Sequence, residues 1–202
     1  MGNNRGLKVM IVAALVISLT GIGIAFAALS QDLTIEGQGQ FNPANWDIHF
    51  ANLLLDAKVG GADEIGATPV VSADTTKITG LNVLFTKPGD SISYEFDVVN
   101  DGTINAELDN VTLAASKVCT GDATGADKIA DEALVCGNLV FTLTYVSGGS
   151  TVAAGDSLPH TVANSTRRMK LTIEFDEDVT ELPTDKVTVT DMNMLLQYIQ
   201  AS

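Results

Sequence analysis

Leu84-Phe85-Thr86-Lys87-Pro88-Gly89-Asp90, then Ser91-Ile92-Ser93-Tyr94-Glu95-Phe96-Asp97-Val98, then Val99-Asn100-Asp101-Gly102 is the stretch on which the fold turns. From Ser91 to Val98 polar and apolar residues alternate without a break. An extended chain therefore puts Ile92, Tyr94, Phe96 and Val98 on one face and the polar residues on the other, the pattern of a half-buried strand. Pro88 presets a turn and Gly89 accepts positive φ, so the strand is launched from Ser91; Asp101-Gly102 at its far end is a hairpin signal.

The same period of two recurs on both sides. Leu33-Thr34-Ile35-Glu36 and Trp46-Asp47-Ile48-His49-Phe50 alternate in this way, and residues 78–85, 108–113, 139–145, 169–175 and 187–189 follow the same logic. Turn residues separate these runs at Gly60-Gly61, Pro88-Gly89-Asp90, Asn100-Asp101-Gly102, Gly148-Gly149 and Pro183. Seven or more short strands at this spacing predict an all-β fold: an antiparallel β-sandwich of the jelly-roll or immunoglobulin-like kind, preceded by an N-terminal apolar export helix. No amphipathic helix is predicted. Residues 121–132 are small and polar, and residues 126–134 are weakly helical, so this segment reads as an insertion loop with a helical turn. The tail over residues 192–199 fits a helix or a last strand, and the strongly β-forming Val187-Thr188-Val189-Thr190 before it favours the strand.

The first 29 residues follow an export pattern. Arg5 and Lys8 give a positive end, an apolar run extends from Val9 to Ile24, and Ala25-Phe26-Ala27 fits the small-x-small cleavage rule, with the cut between Ala27 and Ala28. The stretch from Val9 to Leu29 is also long enough to span a bilayer, so a cleaved leader and a retained anchor both fit. Gly21 and Gly23 weaken the helix before the cut and favour cleavage. The predicted organisation is a leader over residues 1–27, an N-terminal strand and linker over 28–45, and one β domain over 46–202. The expected location is outside the cell, at its surface or in a matrix.

The 202 residues carry a formal charge of -14. Without the leader, nine basic residues against twenty-five acidic ones leave -16. Such a chain repels phosphate backbones and anionic lipid, which argues against nucleic acid; the partners expected are cations, neutral surfaces and copies of itself, with signal peptidase and the membrane met only during export. Cys119 and Cys136 bracket the insertion. In an exported protein this pair reads as a disulfide, worth about 3 kcal/mol on the chain-entropy argument, against the alternative of two buried thiols.

Catalytic signals are scarce. His49 and His160 are the only histidines, and no HExxH, GxSxG or Cys-x-x-Cys metal knuckle occurs. No catalytic, cofactor-binding or metal-ligating residue is assigned, and no enzyme activity is expected. The acidic clusters Asp176-Glu177-Asp178, Asp122 with Asp127, and Asp131-Glu132 offer oxygen ligands for calcium but lack EF-hand spacing, so solvated turns are the simpler reading. Asn110-Val111-Thr112 and Asn164-Ser165-Thr166 match the glycosylation sequon.

The apolar leader ending Gly23-Ile24-Ala25-Phe26-Ala27-Ala28, the strand directly after it, the Leu84 to Asp90 and Phe96 to Asn100 segments and the turn Asp101-Gly102 resemble the TasA and camelysin family of exported fibre proteins. The segment Trp46-Asp47-Ile48-His49-Phe50-Ala51-Asn52-Leu53 is similar to one in small relatives with that leader. The resemblance covers the leader and residues 77–113. It implies processing by a SipW-type signal peptidase, a β-sandwich or jelly roll, and a homopolymeric extracellular fibre of a biofilm matrix. It also implies donor-strand exchange, in which the strand freed by cleavage completes the sheet of a neighbour. Here that strand is residues 29–35, with Leu29, Gln31, Leu33 and Ile35 on one face. Camelysin-like members are known as zinc metalloproteases, which makes a secreted protease the alternative implied by the family. A pilin processed at Gly6 that keeps its apolar helix is a third reading, although Ile11 stands where the type IV pattern has Glu.

Overall fold

The alternating run from Ser91 becomes the central strand of the largest sheet. In the computed structural model, residues 44–113, 117–161, 165–190, 192 and 194–202 are described. The chain divides between Asn42 and Pro43, and all described residues lie in the unit Pro43–Ser202. The predicted leader and donor strand, with Ala27, Ala28, Leu29, Gln31, Leu33 and Ile35, lie outside the described residues.

In chain order the elements are β1 (Ile48–Val59), β2 (Asp63–Glu64), β3 (Val70–Val71), β4 (Ile78–Thr79), β5 (Val83–Leu84), β6 (Ser91–Asn100), β7 (Ala106–Leu113), β8 (Val118–Gly121), helix α1 (Gly125–Gly137), β9 (Leu139–Tyr145), β10 (Ser157–Leu158), β11 (Thr166–Phe175), β12 (Val187–Thr190) and β13 (Met194–Gln200). Among the described residues the fold is all-β apart from α1, and the strand pairs are antiparallel. One sheet has the order β1-β6-β11-β9 and another the order β10-β7-β13, with three two-stranded ribbons, β12-β8, β2-β5 and β3-β4.

Register explains the core. Tyr94 faces Leu171, and Leu171 faces Leu143, so one buried apolar row crosses β6, β11 and β9, while Leu55, opposite Tyr94 on β1, is exposed. Phe96 opposes Met169, and both are fully buried. Phe50 meets Phe96 edge to face, with ring centroids 5.5 Å apart. Ala106, Leu108 and Leu158 of the three-stranded sheet join the same core. Burying each large side chain contributes about 1.5–3 kcal/mol, so this row, rather than strand propensity, holds the sheet.

The polar face of β6 is less exposed than alternation predicts, because β6 is central and longer side chains reach across it. Arg168 Nε donates to Glu95 at 2.8 Å and its Nη1 to Asp97 at 3.0 Å, while Asn52 Nδ2 donates to Asp97 at 2.7 Å. Lys170 pairs with Asp56 at 2.6 Å, and Ser93 donates its hydroxyl to the same carboxylate. The hydrogen bond from Lys170 comes first among the causes that hold the Asp56 carboxyl below its ordinary value.

Three sequence expectations are corrected. Residues 125–137 form a thirteen-residue helix instead of an insertion loop with one helical turn. Its buried residues are Asp131 and Val135, so no apolar stripe advertises it; polar ties fix it instead. Asp131 accepts from Thr184 N, Thr184 Oγ1 and Asp185 N, and Glu132 accepts from Gly121 N. Second, Asp101-Gly102 is not the turn of a hairpin, because β6 pairs with β1 and β11 whereas β7 pairs with β10 and β13. The chain changes sheets here, and the buried Asn100 organises the corner: its Nδ2 donates to the carbonyls of Ile104 and Leu158, and its Oδ1 accepts from Gly102 N. Third, the single strand expected over residues 78–85 is two short pieces, β4 and β5, separated at Gly80, whose φ is +82°.

Candidate functional site

The Pro88-Gly89-Asp90 turn is built around a buried carboxylate. Gly89 has φ +82° and Asp90 N donates to the Lys87 carbonyl at 3.2 Å, the arrangement a type II turn makes with Pro and Gly at its centre. The Asp90 side chain is fully buried. Its Oδ1 accepts from Gly61 N at 2.9 Å, and its Oδ2 accepts from Thr86 N at 2.7 Å, Thr86 Oγ1 at 2.7 Å and Lys87 N at 3.1 Å. Burial opposes the charge, but these donors outweigh it and hold the Asp90 carboxyl below its ordinary value. Asp90 thereby ties the loop after β1 to the start of β6.

At the other end of β6, Asp101 N donates to the Asp47 carbonyl and Thr103 N to the Asn45 carbonyl, which lays residues 45–47 against the corner. A Cβ on Gly102 would sit 2.6 Å from the Asn45 carbonyl oxygen, so that approach requires glycine. His49 stands between Asp47, 3.0 Å from its Nδ1, and Asp101, 3.8 Å from its Nε2. His160 lies elsewhere, its ring held by Asn105 at 2.8 Å. Cys119 and Cys136 are joined, with Cα atoms 6.0 Å apart, and fasten α1 to β8. Asp122, Asp127, Asp131, Glu132 and the run Asp176-Glu177-Asp178 do not converge: among the described residues, no three His, Cys, Asp or Glu side chains form a group that suits a metal ion.

The sheet edges differ in how they are guarded. Beside β9, Tyr145 N donates to Ser150 O and Val152 N to Leu143 O, so the following segment folds back over that edge. Strand β10 has only two residues. Strand β1 is irregular, with register shifts between Ala51 and Leu54 and between Leu55 and Ala57, and Phe50 N donates to Thr75 O. Strand β13 is different. It pairs with β7 on one side, and among the described residues no strand pairs with it on the other. Its sequence, Met194-Leu195-Leu196-Gln197-Tyr198-Ile199-Gln200, contains no charge and no proline, the devices that usually protect an open edge.

An apolar groove of about 720 Å³ runs along this edge. Phe50, Tyr94, Phe96 and Leu171 form its floor, Met192, Met194 and Leu195 form one wall, and residues 76–82 form the other. A pocket of about 200 Å³ lined by Trp46, Ile48, His49, Leu196 and Tyr198 continues it alongside β13, with Phe50 and Thr76 common to both. Desolvation comes first among the causes that push the Tyr94 and Tyr198 phenols up, so both stay neutral. Seven residues of β13 span about 24 Å, the length of a strand of similar size. The arrangement suits an extended apolar segment that bonds to the β13 backbone and sends alternate side chains down to the core. Sequence reading missed this site because its residues come from β1, β4, β6, β11, β13 and the adjoining loops; the one local signal was the uncharged, proline-free run at residues 192–200. Comparison of the chain with family models, with curated proteins and with solved structures gives no match.

Proposed function

We propose that the chain is the structural subunit of an extracellular filament and that it assembles by donor-strand exchange. In this reading the two larger sheets face each other as a β-sandwich of the jelly-roll kind, and the three-stranded sheet lacks a member beside β13. The leader over residues 1–27 is removed between Ala27 and Ala28 during export. Residues 29–35 of one copy then fill the groove of the next, with Leu29, Leu33 and Ile35 toward its floor and Gln31 on the same face. The partner is the protein itself, no enzymatic turnover is involved, and the product lies at the cell surface or in a biofilm matrix. The resemblance of the leader and of residues 77–113 to TasA and camelysin proteins agrees with it.

The observation that carries the reading is the uncharged open edge of β13 beside a groove floored by core aromatics. An edge with no partner strand among the described residues invites an added strand, and a one-residue slip of that strand would turn its apolar side chains away from the floor, so register is specified. Deleting residues 28–36 is expected to leave a folded, soluble domain that makes no filaments in negative-stain micrographs. Filaments from the deletion protein, or a deletion protein that does not fold, would refute strand exchange between copies.

A further inference from the structure

We propose that Met192 and Met194 are sites of reversible oxidation by peroxide, and that their oxidation closes the groove to an apolar strand; the consequence for assembly rests on the filament reading. Beyond the predicted leader the chain has three methionines, Met169, Met192 and Met194. Met169 is fully buried in the core opposite Phe96. The other two line the wall of the groove, Met192 mostly covered and Met194 half-buried, beside Phe50, Tyr94 and Leu195. Both side chains therefore stand where an incoming side chain would pack; an empty groove leaves Met194 open to a small solute and Met192 less so, while a filled groove would cover both.

The chemistry is local and balanced. The thioether sulfur attacks one oxygen of hydrogen peroxide, the O–O bond breaks, an S–O bond forms and water leaves; sulfur loses two electrons and the peroxide gains them. The product is a polar, stiffer sulfoxide in place of a polarizable apolar group. A strand entering the groove would have to pack an apolar side chain against a hydrated sulfoxide oxygen in place of an apolar thioether. On the methionines' own wall the neighbour is Leu195, the phenol of Tyr94 on the floor is already bonded to Glu64 at 3.3 Å, and the polar side chains Thr76, Lys77, Thr79 and Asn82 belong to the other wall. Oxidation thus acts on subunits before assembly, and a subunit already docked is protected.

The test treats the subunit recovered after export with graded hydrogen peroxide and follows each methionine by peptide mapping. Sulfoxide at Met194 is expected at least about tenfold faster than at Met169, with Met192 between them, as burial dictates. The groove is read with the dye anilinonaphthalene sulfonate: its fluorescence should fall by about half or more on oxidation and return after methionine sulfoxide reductase, because the dye reports exposed apolar surface. Filament yield should fall and return in parallel. In the double variant Met192→Leu, Met194→Leu, whatever its starting dye signal and yield, peroxide should change neither. Equal oxidation of all three methionines, or unchanged dye binding with both sulfoxides in place, overturns the inference. Dye loss on oxidation in a protein that never forms filaments, oxidised or not, removes the filament reading and leaves the oxidation sites standing.

Discussion

Replacing Asp90 by Asn tests the account of the turn that launches β6. Asp90 accepts four hydrogen bonds while fully buried, one at Oδ1 from Gly61 N and three at Oδ2 from Thr86 and Lys87. Asparagine keeps a carbonyl oxygen for the three donors on the Oδ2 side but turns an NH₂ group toward the Gly61 N–H. One bond is lost, two donors face each other, and the remaining three bonds lose the assistance of charge. Hydrogen bonds to charged groups contribute about 1.5–3 kcal/mol each, but Thr86 and Lys87 are exposed and their amides can turn to water, so the net loss is about 2 kcal/mol. In a domain of this size that lowers the melting temperature by about 4–8 °C. The sign with pH follows from the lowered carboxyl. Stability from Asp90 is present above the unfolded value near 3.8 and is lost as pH falls through the depressed folded value. The gap between the native protein and Asp90→Asn should therefore be full at pH 7 and narrow below pH 3.8. Melting followed by far-UV circular dichroism from pH 2.5 to 7 measures both. Equal melting temperatures at pH 7, or a gap that widens in acid, would refute the reasoning.

Cys119→Ser with Cys136→Ser, or reduction of the native protein, should cost about 3 kcal/mol, since the bond closes a loop of 17 residues; a denaturant midpoint unmoved by reduction would contradict this. Leu195→Lys places a charge on the groove wall at a side chain that is already 48% exposed, so the domain should melt within about 2 °C of the native protein while filament formation is lost, as expected for a guarded edge. Normal filaments from this variant would place the acceptor edge elsewhere.

Legibility of the fold followed the regularity of the ladder. β6, β9 and β11 were readable because each keeps strict period two with its partners, and Tyr94, Leu171 and Leu143 fall on one face by counting alone. The second half of β1 was not readable. Its register shifts twice, and Asn52 takes φ +50°, a conformation asparagine tolerates, so Leu53, Leu54 and Leu55 lose the alternation that would mark them as strand. Helix α1 was hidden for the opposite reason, since its inward residue Asp131 is polar and is satisfied by Thr184 and Asp185, more than fifty residues away. The Asp-Gly signal misled because Asn100, one residue earlier, has partners in two different segments and commits the chain to a corner. Of the site, composition carried the neutral tail, while the groove floor arose only from the pairing of distant strands.

Charge and edge together give the site its physical logic. A chain at -14 repels its own copies over a screening distance of about 8 Å at physiological salt. Yet β13 carries no charge of its own, and beside it lie the aromatic floor residues, so the repulsion is weakest where backbone donors and apolar surface are both open. Among the described residues the other edges of the two larger sheets are shortened, folded over or made irregular, which leaves β13 as the edge of those sheets where an added strand gains both hydrogen bonds and burial. Such a surface favours a slender extended segment over a second globular face, because a strand brings little charge into the groove while two whole domains would bring their acidic surfaces together. In the proposed assembly, one strand per subunit makes a head-to-tail contact, which propagates in a line wherever its rotation does not close into a ring.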